Sequence, residues 1–63
     1  MEFIVMYQYH SRQENYFISM ECVCTDSIGE ALRKVDDILS EKMDRNGWSD
    51  YHITNINIVP ELH

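Results

Sequence analysis

The alternation of hydrophobic and polar residues along the chain predicts two strands, one helix and a third strand. Residues 2–10 are rich in β-branched and aromatic types and are apolar at both parities near their start. This pattern is typical of a central strand that is covered on both sides. Residues 11–15 are polar and predict a hairpin loop. Residues 16–25 then form the return strand, and residues 52–59 form the third strand.

The middle of the chain has the apolar spacing of an amphipathic helix. Its apolar residues span an arc of roughly 140° at helical pitch, which is wide enough to face a sheet. They are Ile28, Ala31, Leu32, Val35, Ile38, Leu39 and Met43. Ser27 and Glu30 match a capping box, so the helix is expected to begin at Ile28. The Asn46-Gly47 step ends it, because either residue can adopt the left-handed conformation of a C-cap.

These elements predict an α+β fold with the order strand, strand, helix, strand. Sixty-three residues allow a single ββαβ domain over residues 1–63. We expect a three-stranded, mainly antiparallel sheet with one helix on one face. The two-sided apolar pattern of the first strand places it in the centre, in spatial order 2-1-3. A right-handed crossover that places the third strand beside the second remains an alternative.

Side-chain parity predicts which residues of the strands meet the helix. In the first strand Phe3, Val5 and Tyr7 are the bulkier set and are expected to point inward. In the second strand the apolar parity is expected to form the core face, with two buried thiols. That parity consists of Ile18, Met20, Cys22 and Cys24.

The remaining apolar residues are expected to form a patch on the sheet face that the helix leaves uncovered. This candidate interface comprises Ile4, Met6, Phe17, Val23 and Ile53. Contiguous exposed apolar patches mark interaction sites, so we expect a homodimer or a contact with another protein. Alternatively, Lys and Gln stems and the tail at residues 60–63 cover this face.

The charge balance argues against direct binding to nucleic acid. Eleven acidic residues against five basic ones give a formal charge of −6, and the sequence contains no Lys/Arg cluster. Aromatic residues on the strands therefore lack the cations of a base-stacking platform and are expected to pack the core and hairpin. The helix carries a candidate acidic ridge, which is either a solvated face or a contact for a basic partner. Its members are Glu30, Asp37, Glu41 and Asp44.

The sequence predicts neither a catalytic constellation nor a cofactor or metal site. Cys22 and Cys24 lie one residue apart on a strand, so they cannot easily bridge each other and lack the turn of a zinc knuckle. His10 is expected at the opposite end of the sheet, too far from either thiol to act as its base. No apolar run approaches the ~20 residues of a membrane span. We expect a soluble cytoplasmic protein.

The layout also resembles a group of phage proteins. The opening at residues 3–7, the capped helix, and the ending at residues 53–56 with Glu61-Leu62 look like short phage-encoded strand-strand-helix-strand proteins of unknown function. The resemblance implies an origin in a mobile element. The long turn at residues 11–15 and the cysteine pair are not features of that group.

We therefore expect a small non-enzymatic protein-binding or inhibitor module that self-associates through the uncovered sheet face. One alternative is an acidic decoy that mimics nucleic acid and blocks a host nucleic-acid-binding protein. The other is a metal or redox module built on Cys22 and Cys24.

Overall fold

The computed structural model describes residues 1–13 and 15–60 of the chain. Its elements are β1 (Glu2–His10), β2 (Tyr16–Cys24), α1 (Ile28–Asn46) and β3 (Asp50–Val59). The sheet has the order β2-β1-β3 with both pairings antiparallel, which confirms the predicted α+β ββαβ fold. The expected loop at 11–15 includes residue 14, and the expected covering tail includes residues 61–63; these residues lie outside the described part.

Both ends of α1 follow from its local sequence. Ser27 has an extended backbone, and its hydroxyl oxygen accepts a hydrogen bond from Glu30 N at 3.2 Å, one half of the predicted capping box. Gly47 adopts the left-handed conformation at φ 70°, and its N–H donates to Met43 O at 2.8 Å. The helix therefore ends at the glycine, where a left-handed backbone carries no Cβ penalty. Among the described residues, no helix combines the length and apolar content needed to span a membrane.

The third strand begins two residues earlier than predicted. Asp50 and Tyr51 pair with His10 and Tyr9 of β1. The imidazole Nδ1 of His10 donates to a carboxylate oxygen of Asp50 at 2.6 Å, and Ser49 N donates to His10 O at 2.8 Å. The polar Ser49-Asp50 step predicts a loop from its sequence, but pairing with the end of β1 draws it into the sheet.

The core lies between α1 and one side of the sheet, which we call the helix face. Its buried members are Phe3, Val5, Tyr7, Val23, Ala31, Val35 and Leu39. The three helix residues are spaced four apart, so they form one line along α1. The inward positions predicted for Phe3, Val5 and Tyr7 are confirmed.

The predicted core face of β2 is wrong. Directly opposed residues of an antiparallel pair lie on the same side of the sheet, and Phe3 opposes Val23. Odd-numbered residues of β2 therefore share the helix face with Phe3. The four residues expected in the core, Ile18, Met20, Cys22 and Cys24, are all exposed on the other side.

Aromatic side chains extend the core along the helix face. Tyr9 stacks on Trp48 with ring centroids 4.0 Å apart and on Phe17 with centroids 5.2 Å apart. Tyr7 is buried and lies 6.0 Å from the Tyr9 ring. These contacts place the rings in packing roles.

Candidate functional site

The side of the sheet opposite α1, which we call the open face, carries a contiguous set of apolar side chains. Cross-strand pairing places Met6 beside Met20 and Ile4 beside Cys22. Ile18 is 61% exposed and Met20 is 54% exposed, whereas Ile4 and Met6 are half-buried between their neighbours. We call this set the open-face patch: Ile4, Met6, Ile18, Met20, Cys22 and Cys24.

Three of the five residues in the predicted interface lie elsewhere. Val23 is 6% exposed and belongs to the core, and Ile53 packs against that core. Phe17 is on the helix face, where its ring stacks on Tyr9. Ile4 and Met6 do lie on the open face. The uncovered surface therefore exists, but β2 contributes its even-numbered residues to it.

The open face is divided into an apolar half and a polar half. The open-face patch on β1 and β2 makes the apolar half, and Gln8 lies on the same side of β1 opposite Ile18. The strand β3 contributes Val59 at one end and otherwise the polar residues Asp50, His52, Asn55 and Asn57. Formal charge on this face comes from Glu2 and Asp50 alone among the strand residues, and these lie at its two ends. The patch between them is uncharged, although the whole chain carries a formal charge of −6.

Both cysteines are free thiols in the patch rather than buried core residues. Cys22 opposes Ile4 and Cys24 opposes Glu2, whereas His10 opposes Tyr16 at the far end of the sheet. The predicted separation between the thiols and His10 is therefore observed. Within residues 1–13 and 15–60, no group of three or more His, Cys, Asp or Glu side chains could hold a metal ion.

The acidic ridge residues Glu30, Asp37, Glu41 and Asp44 are all exposed on α1. One turn apart on the helix, Glu41 forms an ion pair with Arg45. The helix carries five acidic and four basic residues, so its own formal charge is −1. Its surface is a mixture of both signs rather than a polyanionic stripe.

Three side-chain hydrogen bonds attach α1 to the edge strands, one to Glu21 of β2 and two to Tyr51 of β3. Lys42 Nζ donates to Glu21 Oε1 at 2.5 Å, and this hydrogen bond raises the pKa of Lys42 above its ordinary value of 10.5. The Tyr51 hydroxyl shares a hydrogen bond with Ser40, which lowers its pKa. Its bond to Asp36 Oδ1 at 2.7 Å, together with burial and the Asp36 charge, has the larger combined effect and raises the pKa above 10.0.

The Lys42 contact explains how a carboxylate occupies the helix face of β2. Glu21 lies on the same side as Val23 and opposes Val5. A half-buried carboxylate needs a charged or hydrogen-bonding partner, and the helix supplies one. The sequence signal that could have identified this face is the presence of Lys42 at the edge of the apolar helix stripe.

Comparison with protein-family models, curated proteins and solved structures found no match for this chain. The function is therefore inferred from the open-face patch and its surroundings.

Proposed function

We propose that this protein is a small, non-enzymatic interaction module that self-associates through the open-face patch. The proposal rests on two properties of the patch: its β2 side chains are exposed to solvent, and none of its side chains is charged. Ile18 and Met20 are each more than half exposed on the edge strand β2, and no side chain of the patch carries a formal charge. Exposed apolar patches of this kind mark interaction sites.

The expected binding energy is modest. Burial of about 400 Å² of apolar surface contributes about 10 kcal/mol at ~25 cal/mol per Å². Loss of translational and rotational freedom costs about 4–15 kcal/mol. Because the two terms are similar in size, we expect a dimer that dissociates on dilution.

A second copy of the chain suits the patch better than a basic partner protein. A basic surface would be attracted to acidic side chains, and the patch contains none. Two copies related by a two-fold axis place the same uncharged surface on both sides of the contact. Charges elsewhere on the two molecules are then screened by salt over a Debye length of about 8 Å.

Sedimentation velocity over a protein concentration range of about 1 µM to 1 mM tests this proposal. We expect a reversible monomer–dimer equilibrium in the wild-type protein. Ile18→Glu should weaken dimerisation at least about tenfold, because it places an unpaired charge in an uncharged contact.

Ile58→Glu is the matched control. Ile58 is 53% exposed, close to the value for Ile18, but it opposes Phe3 and so lies on the helix-face side of β3. This variant should dimerise like the wild type. A wild-type protein that stays monomeric throughout the concentration range, or two glutamate variants with equal effects, contradicts the proposal.

A further inference from the structure

In the part of the chain that the structure describes, the outer main-chain edge of β2 is available for pairing. Thr25 N donates to Met1 O and Ser11 N donates to Asn15 O, each at 2.9 Å. Hydrogen-bonded pairs alternate with non-bonded pairs in an antiparallel ladder. The odd-numbered residues of β2 therefore bond to β1. Even-numbered residues direct their N–H and C=O groups away from it: Tyr16, Ile18, Met20, Cys22 and Cys24.

The same residues of β2 thus expose both their side chains and their main-chain groups. Ile18 and Met20 are far more exposed than Ile4 and Met6 of the central strand. Among the described strands, the central strand has a neighbour on each side, whereas β2 has one neighbour. The most exposed side chains of the patch therefore lie on the edge strand β2.

The opposite edge of the sheet, formed by β3, is protected against strand addition. A register shift between Met6 and Tyr7 interrupts its pairing. The free-edge N–H of Ile56 donates to the side-chain oxygen of Asn55 at 2.9 Å. One main-chain donor on the outer edge of β3 is therefore already hydrogen-bonded within the strand. Pro60 follows its last residue. Bulges and prolines are devices by which proteins block edge-to-edge pairing.

By contrast, β2 has none of these devices over Tyr16–Cys24, all of which the structure describes. Its register with β1 is unbroken from Cys24 to Tyr16, and its sequence contains no proline. Its single charged residue, Glu21, points to the helix face and is paired with Lys42. A long, regular, apolar edge of this kind is a template for another strand.

We propose that the second copy adds its own β2 antiparallel to this free edge, forming a continuous six-stranded sheet. The proposal rests on the self-association proposed above and specifies its geometry. A two-fold axis near Met20 pairs the two strands over their whole length, with Ile18 of one copy opposite Cys22 of the other. About ten main-chain hydrogen bonds would form in this register. The protected β3 edges then stop growth at the dimer.

A second copy fits this edge better than an unrelated strand because the edge is self-complementary. The two strands have equal length, and their open-face side chains meet as uncharged cross-strand pairs. A face-to-face approach would instead bury the polar β3 half of the open face and leave the main-chain groups of β2 unpaired. Addition of a strand along the edge engages both the exposed side chains and the exposed main-chain groups of the same β2 residues.

Amide hydrogen exchange measured by NMR on the wild-type protein tests this geometry. In dilute, monomeric protein, amides of Ser19 and Glu21 should be protected by β1, whereas those of Ile18, Met20 and Cys22 should exchange freely. At dimer concentrations the alternation should disappear, with exchange at the three free-edge amides slowed at least about tenfold. Ser19 and Glu21 serve as internal controls.

A pair of variants provides a second readout. Met20→Pro removes a free-edge N–H while leaving the bonds to β1 in place, a position where proline is tolerated in edge strands. Met20→Ala keeps the N–H and shortens the side chain. We expect the proline variant to raise the dimer dissociation constant at least about tenfold more than the alanine variant, with circular dichroism confirming that both are folded.

The outcomes separate the two proposals. A dimer whose free-edge amides stay unprotected overturns strand addition but leaves self-association through the patch intact. A protein that is monomeric at all concentrations overturns both. If Met20→Pro does not fold, the exchange measurement on the wild-type protein decides alone.

Discussion

The two faces of the sheet carry similar apolar side chains but have different surroundings. On the helix face, Phe3 and Val5 are fully buried against Val35 and Leu39. On the open face, Ile18 and Met20 lie on a neighbouring strand and are more than half exposed. Apolar character therefore does not decide which residues of a thin sheet are buried. The position of the helix and the register of the strands decide it.

Removal of a core side chain should produce the largest difference between the faces. Leu39 is fully buried between α1 and the sheet. We expect Leu39→Ala to lower the free energy of unfolding by about 3 kcal/mol, because it removes packed methyl groups and leaves a cavity. Urea denaturation of dilute protein measures the change. Met20→Ala under the same conditions should change it by less than about 0.5 kcal/mol; equal losses would contradict the assignment of the faces.

Two adjacent residues of β2 provide a closer comparison. Val23 is 6% exposed in the core, and Cys22 is exposed beside it. Val23→Ala should lower the free energy of unfolding by about 2 kcal/mol, whereas Cys22→Ala should be near neutral in the monomer. Thermal unfolding at low protein concentration gives both values. If Cys22→Ala were more destabilising than Val23→Ala, then Cys22 rather than Val23 would lie in the core, as the sequence pattern predicts.

The Glu21–Lys42 contact should have a smaller effect. Lys42→Met keeps an apolar stem against the core and leaves Glu21 half-buried without its partner. Because both side chains are partly exposed, we expect a loss of about 1 kcal/mol or less. Glu21→Gln with Lys42→Met should recover part of that loss in a double-mutant cycle. If the two substitutions change the free energy of unfolding additively, Glu21 and Lys42 are not energetically coupled.

Alkaline pH should weaken the attachment of the helix gradually. The pKa values of Lys42 and Tyr51 are raised above 10.5 and 10.0 in the folded protein. The folded state thus holds both protons more tightly than the unfolded state, so this stability is present below about pH 10 and is lost as pH rises through the folded-state values. Urea midpoints across this range measure it. A steeper decline in Lys42→Met or Tyr51→Phe than in the wild type would contradict this account.

The arrangement of elements could be predicted because the relevant signals are local. Ser27 and Gly47 mark the two ends of the helix by capping chemistry, and the two-sided apolar pattern of β1 places it at the centre of the sheet. The large size of Phe3, Val5 and Tyr7 predicts that they point inward, and all three are in the core. Four of the six residues of the open-face patch could not be predicted in this way, because they lie on β2, an edge strand with apolar residues at both parities.

The element types, the helix caps and the inward side of the central strand each depend on residues that are close together in the chain, so the local sequence is enough to predict them. The orientation of β2 depends instead on long-range packing. Pairing of Phe3 with Val23 across the hairpin sets which parity faces α1, and Lys42 makes Glu21 tolerable there. A strand has a period of two, so a shift of one residue in register exchanges its faces entirely.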